Sequence, residues 1–452
     1  MEYKNFLQEK KHISSSDGFV PVYIPNFLFD FQKALVEFAL LGGRRAIFAD
    51  CGMGKTPIQL VWAENIVRKT GGKVLVLTPL SVAAQTVEES KKFGIEAYKS
   101  LDGKFPSFQK IIVCNYEKLH YFNPQDYVGV CCDESSIIKN FNGSRKGEIT
   151  NFMKKIKYRL LCTATAAPND YVELGTSSEA LGHLGYMDML STFFKNDENS
   201  LHPAFFKSKW RFKKYAETDF WRWMTSWAKA CRKPSDLGFK NDKFILQELI
   251  VKDCIVGSSP LPGKLISVSS KCWAEERKER QASLPLRCEQ AAKELHKVDS
   301  GIAWCHLSAE SFLLKKLING AEEVKGGDSD ERKEEIFNAF KKGQVRVLVT
   351  KPKISAFGMN WQHCADMTYF PTHSYEQYYQ AIRRCWRFGQ TKKVNVRLVY
   401  SESLTEIANN MKRKESVCDK MFLEFTKVMN DPLYLTSISK HKLKERVPAW
   451  VV

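Results

Sequence analysis

Five short apolar runs constrain this chain more than any other feature: RRAIFAD at 44–50, KVLVLTP at 73–79, KIIVCNY at 110–116, YVGVCCDE at 127–134 and YRLLCTAT at 158–165. Each is nearly continuous rather than alternating, the pattern of a strand covered on both faces. Amphipathic stretches separate the runs, so strands should feed crossover helices in a parallel sheet. After the first run, Pro57 suits the first turn of a helix whose Ile58, Val61, Trp62 and Ile66 form one buried stripe. A second set follows between about 291 and 400: GIAWCH, RVLVTK, MTYF and VNVRLVY, with the helical pattern ERKEEIFNAFKKG among them. The expected fold class is therefore α/β: two tandem lobes of parallel sheet flanked by helices, a helical insertion between them and a C-terminal helical extension.

The boundaries expected are an N-terminal extension at 1–27, a first lobe at 28–175, the insertion at 176–262, a second lobe at 263–410 and a basic extension at 411–452. The insertion is rich in Phe, Trp, Lys and Arg. Its Phe220, Trp223, Met224 and Trp227 fall at helical spacing, which predicts a packed core face rather than a base-stacking surface. Arg211, Lys213, Lys214, Arg232 and Lys233 flank that face as a solvated basic surface or as phosphate contacts.

Composition narrows the partners. Lys and Arg number 69 against 51 Asp and Glu, and a net charge of +18 favours a polyanion such as nucleic acid. The 13 cysteines include no C-x-x-C pair, which predicts reduced thiols, with Cys131 and Cys132 acting as small hydrophobes. The longest apolar stretch, 74–84, is broken by Thr78, Pro79 and Ser81 and falls short of the roughly 20 residues of a membrane helix, so no membrane is expected. The N-terminus lacks the apolar core of a signal peptide, and a cytoplasmic protein is expected.

Chemistry concentrates in three strings. In ADCGMGKT at 49–56, between a strand and a helix, Gly52, Met53 and Gly54 let backbone N–H groups close on a triphosphate. Lys55 would reach its β- and γ-phosphates and Thr56 would ligate magnesium. ATP and Mg2+ are thus the expected cofactors. Asp133 and Glu134 end the fourth run at the same sheet edge: Asp133 to hold the metal, Glu134 to orient and deprotonate the attacking water. In QAIRRCWRFGQ at 380–390, Arg384 and Arg387 stand three apart, on one face if helical, and an arginine so delivered is worth roughly 10³ to 10⁵ in rate. Arg383 and Arg346 are expected in surface or backbone contacts.

These strings, in this order, resemble the motifs of superfamily 2 helicases, and specifically the Swi/Snf-like branch of double-stranded DNA translocases, over about 28–410. ADCGMGKT resembles motif I, DESSIIKN at 133–140 motif II and TATAAPN at 163–169 motif III. Phe31-Gln32 looks like the glutamine motif that reads adenine, LTPLS at 77–81 like motif Ia, and CNYEKL at 114–119 like a segment that touches the tracking strand. KGGDSDERKEEIFNAF at 325–340 resembles the element after motif IV, SAFGMNWQ at 355–362 motif V, the arginine segment motif VI, and LPGK at 261–264 the stretch preceding the second lobe. The spacing, with PNDYVELG and RKPSDLG, is also similar to compact phage and prophage helicases, which would place the protein in a bacterial host cytoplasm.

The resemblance implies RecA-like lobes and a set of roles. Gln32, Gly52, Met53, Gly54, Lys55, Thr56 and Gly358 would bind nucleotide. Glu134, Gln380, Arg384 and Arg387 would be catalytic, and Thr56 and Asp133 would hold metal. Thr78, Asn115, Lys139, Asn140 and Asn360 would contact DNA, and Thr163 and Thr165 would couple hydrolysis to grip. Ser136 stands where the branch commonly has His and Ala166 where it has Pro, both on that coupling route. The function expected is ATP-driven movement of a monomer along double-stranded DNA. The alternatives are a strand-separating DNA or RNA helicase, the motor of a restriction-modification-like assembly with a methyltransferase or nuclease partner, and an inactive duplex-binding scaffold.

Overall fold

The computed structural model describes residues 18–80, 82–141, 143–196, 210–213, 215–241, 243–257, 273–355 and 360–430. The chain is α/β, with parallel sheets of seven and six strands and a two-stranded antiparallel ribbon. It divides into two compact units, Met1–Asn241 with Val417–Val452, and Asp242–Ser416.

The first unit runs α1 (Asp30–Gly42), β1 (Arg44–Ala49), α2 (Lys55–Thr70), β2 (Lys73–Thr78), α3 (Ala83–Lys92), β3 (Ala97–Lys99), β4 (Ile111–Asn115), β5 (Tyr127–Asp133), α4 (Ser144–Lys154) and β6 (Tyr158–Cys162). It continues with α5 (Leu174–Leu181), α6 (Tyr186–Phe193), β7 (Phe194–Asn196), β8 (Trp210–Phe212), α7 (Glu217–Trp227) and β9 (Ala228–Cys231). Its sheet order is β3-β4-β2-β5-β6-β1-β9, every pair parallel. The five runs form strands because both faces are covered: β4 and β6 bury every residue, and β2 all but Lys73. Each Val, Leu or Ile so buried stabilises by about 1.5–3 kcal/mol. The predicted stripe holds as well, with Ile58, Val61, Trp62 and Ile66 of α2 all at 0% exposure. Gly71, at φ 70°, ends that helix by donating its N–H to the carbonyl of Val67.

The stretch expected as a separate helical insertion differs from that expectation. β9 pairs with β1 over Ala46 to Ala49 and completes the first sheet. α7 supplies that unit's core: Phe220, Met224 and Trp227 are at 0% exposure, and Trp227 meets Phe48 of β1 edge-on at 6.3 Å. Three of the four residues of the predicted core face are thus buried while Trp223 is half-buried, and the aromatic residues cluster because they cover the flank of the sheet. Arg232 is ion-paired with Asp419 at 2.6 Å and lies under the ring of Phe422, while Lys213 donates to the carbonyl of Ser191. Lys214 lies outside the described residues.

The second unit begins earlier than expected, with β10 (Leu249–Val256). There follow α8 (Trp273–Ala282), α9 (Leu284–Glu294), β11 (Gly301–Trp304), α10 (Ser308–Leu317), β12 (Ala321–Glu323), α11 (Asp330–Lys341), β13 (Val347–Thr350), α12 (Pro352–Ser355), β14 (Asp366–Tyr369), α13 (Tyr375–Ile382) and β15 (Val394–Ser401). Its order is β10-β15-β14-β11-β13-β12, again all parallel. β10 is an edge strand and largely exposed, which is why its sequence lacks the continuous apolar signature. The last helix, α14 (Thr405–Met429), is shared: its residues from Val417 count with the first unit. Arg346 meets the expectation of backbone contacts, donating to the carbonyls of Leu295, Val298 and Asn319. Residues 261–264, Gly358 and everything after Asn430 lie outside the described residues.

Candidate active site

All strands of a parallel sheet present their carboxyl ends at one edge, the usual location of ligand sites in such folds. In the first unit that edge brings together Asn115 and Thr78, paired in register, then Asp133 opposite Cys162, and Ala49 opposite Cys231. Thr163 and the loop 50–54 follow directly from these strand ends.

The loop is tied from three sides. Asp50 donates its N–H to the carbonyl of Cys231 at 3.0 Å, and its Oδ1 accepts from the N–H of Cys51 at 2.5 Å. Gly52 and Gly54 sit at φ 87° and 78°, a region that costs a glycine nothing. At Gly54 a Cβ would also lie 2.2 Å from Nε2 of Gln32. Gln32 is 4% exposed; its Oε1 accepts from the N–H of Phe29 and its Nε2 donates to the carbonyl of Met53, each at 3.0 Å. It thus clamps the loop to the start of α1.

Lys55 opens α2 and turns its Nζ onto the carbonyl of Ala49 at 3.1 Å. Removal from water works against its charge, but Glu134, Cys51, Asp133 and Asp50 together raise its pKa above the ordinary lysine value. Asp133 is 7% exposed; burial and the neighbouring Glu134 push its carboxyl up to about 6, against the opposing pull of Lys55 and the hydrogen bond from Gln59. Gln59 is one helical turn beyond Lys55 and reaches Asp133 Oδ1 at 2.7 Å. Tyr116 donates to the main-chain carbonyl of Asp133 at 2.6 Å.

Glu134 is the one non-glycine residue with positive φ among the described residues, at φ 48° and ψ 51°. That conformation costs roughly 1–2 kcal/mol and survives only where the surroundings enforce it. Its Oε2 accepts from the Thr163 hydroxyl at 3.3 Å, and Thr163 Oγ1 in turn accepts from the N–H of Thr165 at 3.1 Å. Of the two coupling candidates, Thr163 therefore meets the carboxylate expected to act as base, and Thr165 reaches it only through Thr163. Thr56 is partly exposed on the first turn of α2.

The DNA-contact candidates divide. Thr78 is at 0% exposure and Asn115 at 1%, so neither presents its side chain at the surface in this state. Lys139 is half-buried and Asn140 exposed, beyond the short turn at Ser135–Ile138. Ser136 and Ala166, at 5% and 3%, are buried. Among the described residues no group of three or more His, Cys, Asp or Glu could hold a metal by itself, and no helix is long and apolar enough to cross a membrane.

In the second unit the segments at 360–364 and 384–390 are laced together. Trp361 N–H donates to the carbonyl of Arg384 at 3.0 Å, Gln362 donates to that of Phe388, and Gln390 Nε2 reaches the carbonyls of Cys364 and Cys385. Two expectations need correction here. Arg384 and Arg387 do not share a helical face, because α13 ends at Ile382 and 383–389 is a run of turns whose carbonyls the Gln362 and Gln390 amides capture. Arg383 is not a surface residue but 1% exposed, wedged over Trp386 at 4.8 Å and near Tyr379 and Phe388. Arg384 is 5% exposed with Nε on the carbonyl of Gln380, itself 2% exposed, while Arg387 is half-buried. Asn360 is exposed and donates to Gln362 Oε1 at 3.4 Å.

Sequence reasoning missed Gln59 and Tyr116. Gln59 had a usable signal, since a residue four beyond Lys55 shares its helical face; Tyr116 had none short of the sheet register. Neither a protein-family model nor a curated protein matches the chain.

Proposed function

We propose that the protein is a DNA-dependent ATPase that couples hydrolysis to movement along double-stranded DNA, its two units being RecA-like lobes. The observation that carries this reading is the convergence, at one sheet edge, of Lys55 behind a glycine cradle, the hydrogen-bonded Asp133, and the strained Glu134 tethered to Thr163.

The residues fit a nucleoside triphosphate. Gly52 and Gly54 leave the loop amides unobstructed by a Cβ, and Lys55 is held charged beside them. A magnesium ion would be held by Thr56 and Asp133, the latter a buried carboxyl raised by that burial and by the adjacent Glu134, and when bound it would neutralise developing phosphate charge. Glu134 would orient a water and take its proton, and Thr163 would hold that carboxylate in line. Arg387 is the candidate for positive charge in the transition state, with Gln380 and Arg384 supporting the turn that carries it. Support for duplex DNA comes from the net charge of +18 and from the resemblance of the segments around Thr78, Asn115, Lys139, Asn140 and Asn360 to the DNA-contacting motifs of that branch. A duplex-binding scaffold without turnover would have no use for the strain at Glu134.

Phosphate release measured alone and with duplex DNA, single-stranded DNA or RNA tests the reading. Release stimulated most by duplex DNA is expected. No release under any condition sinks the enzyme, and stimulation by RNA alone moves the substrate to RNA.

A further inference from the structure

Tyr116 stands outside every role assigned so far. It is 2% exposed, and the carbonyl its hydroxyl reaches at 2.6 Å belongs to the peptide that leads into Glu134. That peptide feeds the left-handed conformation at φ 48°. A strained peptide persists only where something holds it, and the Tyr116 hydroxyl is a buried donor that does so directly. The preceding residue, Asn115, ends β4 at the sheet edge, and among the described residues neither its Oδ1 nor its Nδ2 has a hydrogen-bond partner although it is 1% exposed. Buried amides in that condition are uncommon and ready to accept an incoming polar group. One peptide link therefore separates an edge amide lacking partners from the hydroxyl that sets the backbone of Glu134.

We infer that Tyr116 is a positioning residue: its hydroxyl fixes the Asp133–Glu134 peptide, and a turn of the buried, unpartnered Asn115 amide outward onto a DNA backbone is passed through Tyr116 to the Glu134 carboxylate. The inference rests on the translocase reading. A tyrosine that only fills the core needs its ring and any acceptor for its hydroxyl, whereas this role needs the hydroxyl on this one carbonyl.

The test uses the full chain with Tyr116→Phe, which keeps the ring and deletes the oxygen. Turnover with saturating duplex, KM for ATP and affinity for a fluorescently labelled duplex are measured beside thermal unfolding. Expected are a DNA-stimulated kcat lower by about tenfold, with KM and duplex affinity within about twofold of wild type. Asn115→Ala should instead lose duplex affinity and stimulation together. Stimulated kcat within about twofold of wild type overturns the inference, as does a loss of kcat matched by loss of duplex affinity. Loss of cooperative unfolding in Tyr116→Phe also overturns it, since the hydroxyl would then be a folding group. An inactive wild type overturns the reading beneath and this inference with it, and is told apart because it precedes any comparison of variants.

Discussion

Replacing Asp133 by Asn should make the protein more stable. The Asp133 carboxyl is raised from 3.8 to about 6 in the folded chain, chiefly by burial and by the adjacent Glu134. A carboxyl raised in this way binds more protons folded than unfolded, so folding is penalised as pH rises through the window from about 4 to about 6 and fully penalised above it. About two pKa units at 1.36 kcal/mol each give a penalty of roughly 3 kcal/mol at neutral pH. Asn keeps an oxygen for the Gln59 amide, 2.7 Å away in the wild type, and carries no charge. At 2–4 °C per kcal/mol for a unit of this size, Tm should rise by roughly 6–12 °C at pH 7.5, in EDTA and without nucleotide. At pH 4.5 the folded carboxyl is largely protonated while the unfolded one is still mostly ionised, so the gain should shrink to about a third of its value at pH 7.5. An unchanged or lower Tm at pH 7.5, or a gain equally large at pH 4.5, would show that Asp133 is not strained by its surroundings.

Three further outcomes are expected. Glu134→Gln should abolish turnover while a fluorescent ATP analogue still binds, whereas Lys55→Ala should lose both; turnover at the wild-type rate in the glutamine variant would remove Glu134 as base. Arg287→Met should destabilise by about 3–5 kcal/mol, because it leaves the fully buried Glu310 without the guanidinium 2.8 Å away. Burial opposes the Glu310 charge, but Arg287 and the N–H groups of Leu307 and His306 hold its pKa below the ordinary range. The wild-type gain is thus present at neutral pH and lost as pH falls through that lowered value, and urea unfolding at pH 7.5 and pH 4 should show the variant's deficit shrinking in acid. Duplex affinity should fall with salt at a log-log slope of roughly 0.9 per neutralised phosphate, and a salt-insensitive complex would argue against backbone contacts.

Nine strands were legible because a strand buried on both faces leaves a continuous apolar run, as β4 and β6 do. β3 and β12 were too short to leave one, β10 is exposed, and β9 is hidden at the end of an aromatic helix. Lys55, Asp133, Glu134 and Thr163 could be found because each lies in a local strand-to-loop string. The Gln59 contact spans 74 residues and the Tyr116 contact depends on how β4 and β5 flank β2, so only the assembled sheet reveals them. The arginine segment misled because helical periodicity is silent about where side-chain amides intercept carbonyls.

β9 also bears on how this protein can be taken apart. A fragment ending near residue 175 would strip β1 of its neighbour along Ala46 to Ala49, free the Asp50 amide from Cys231 and leave Phe48 without Trp227. Such a fragment would display a raw, sticky seam and a slackened 50–54 loop. A workable excision must carry the chain to Asn241 and supply the stretch from Val417 onward as a returning splint.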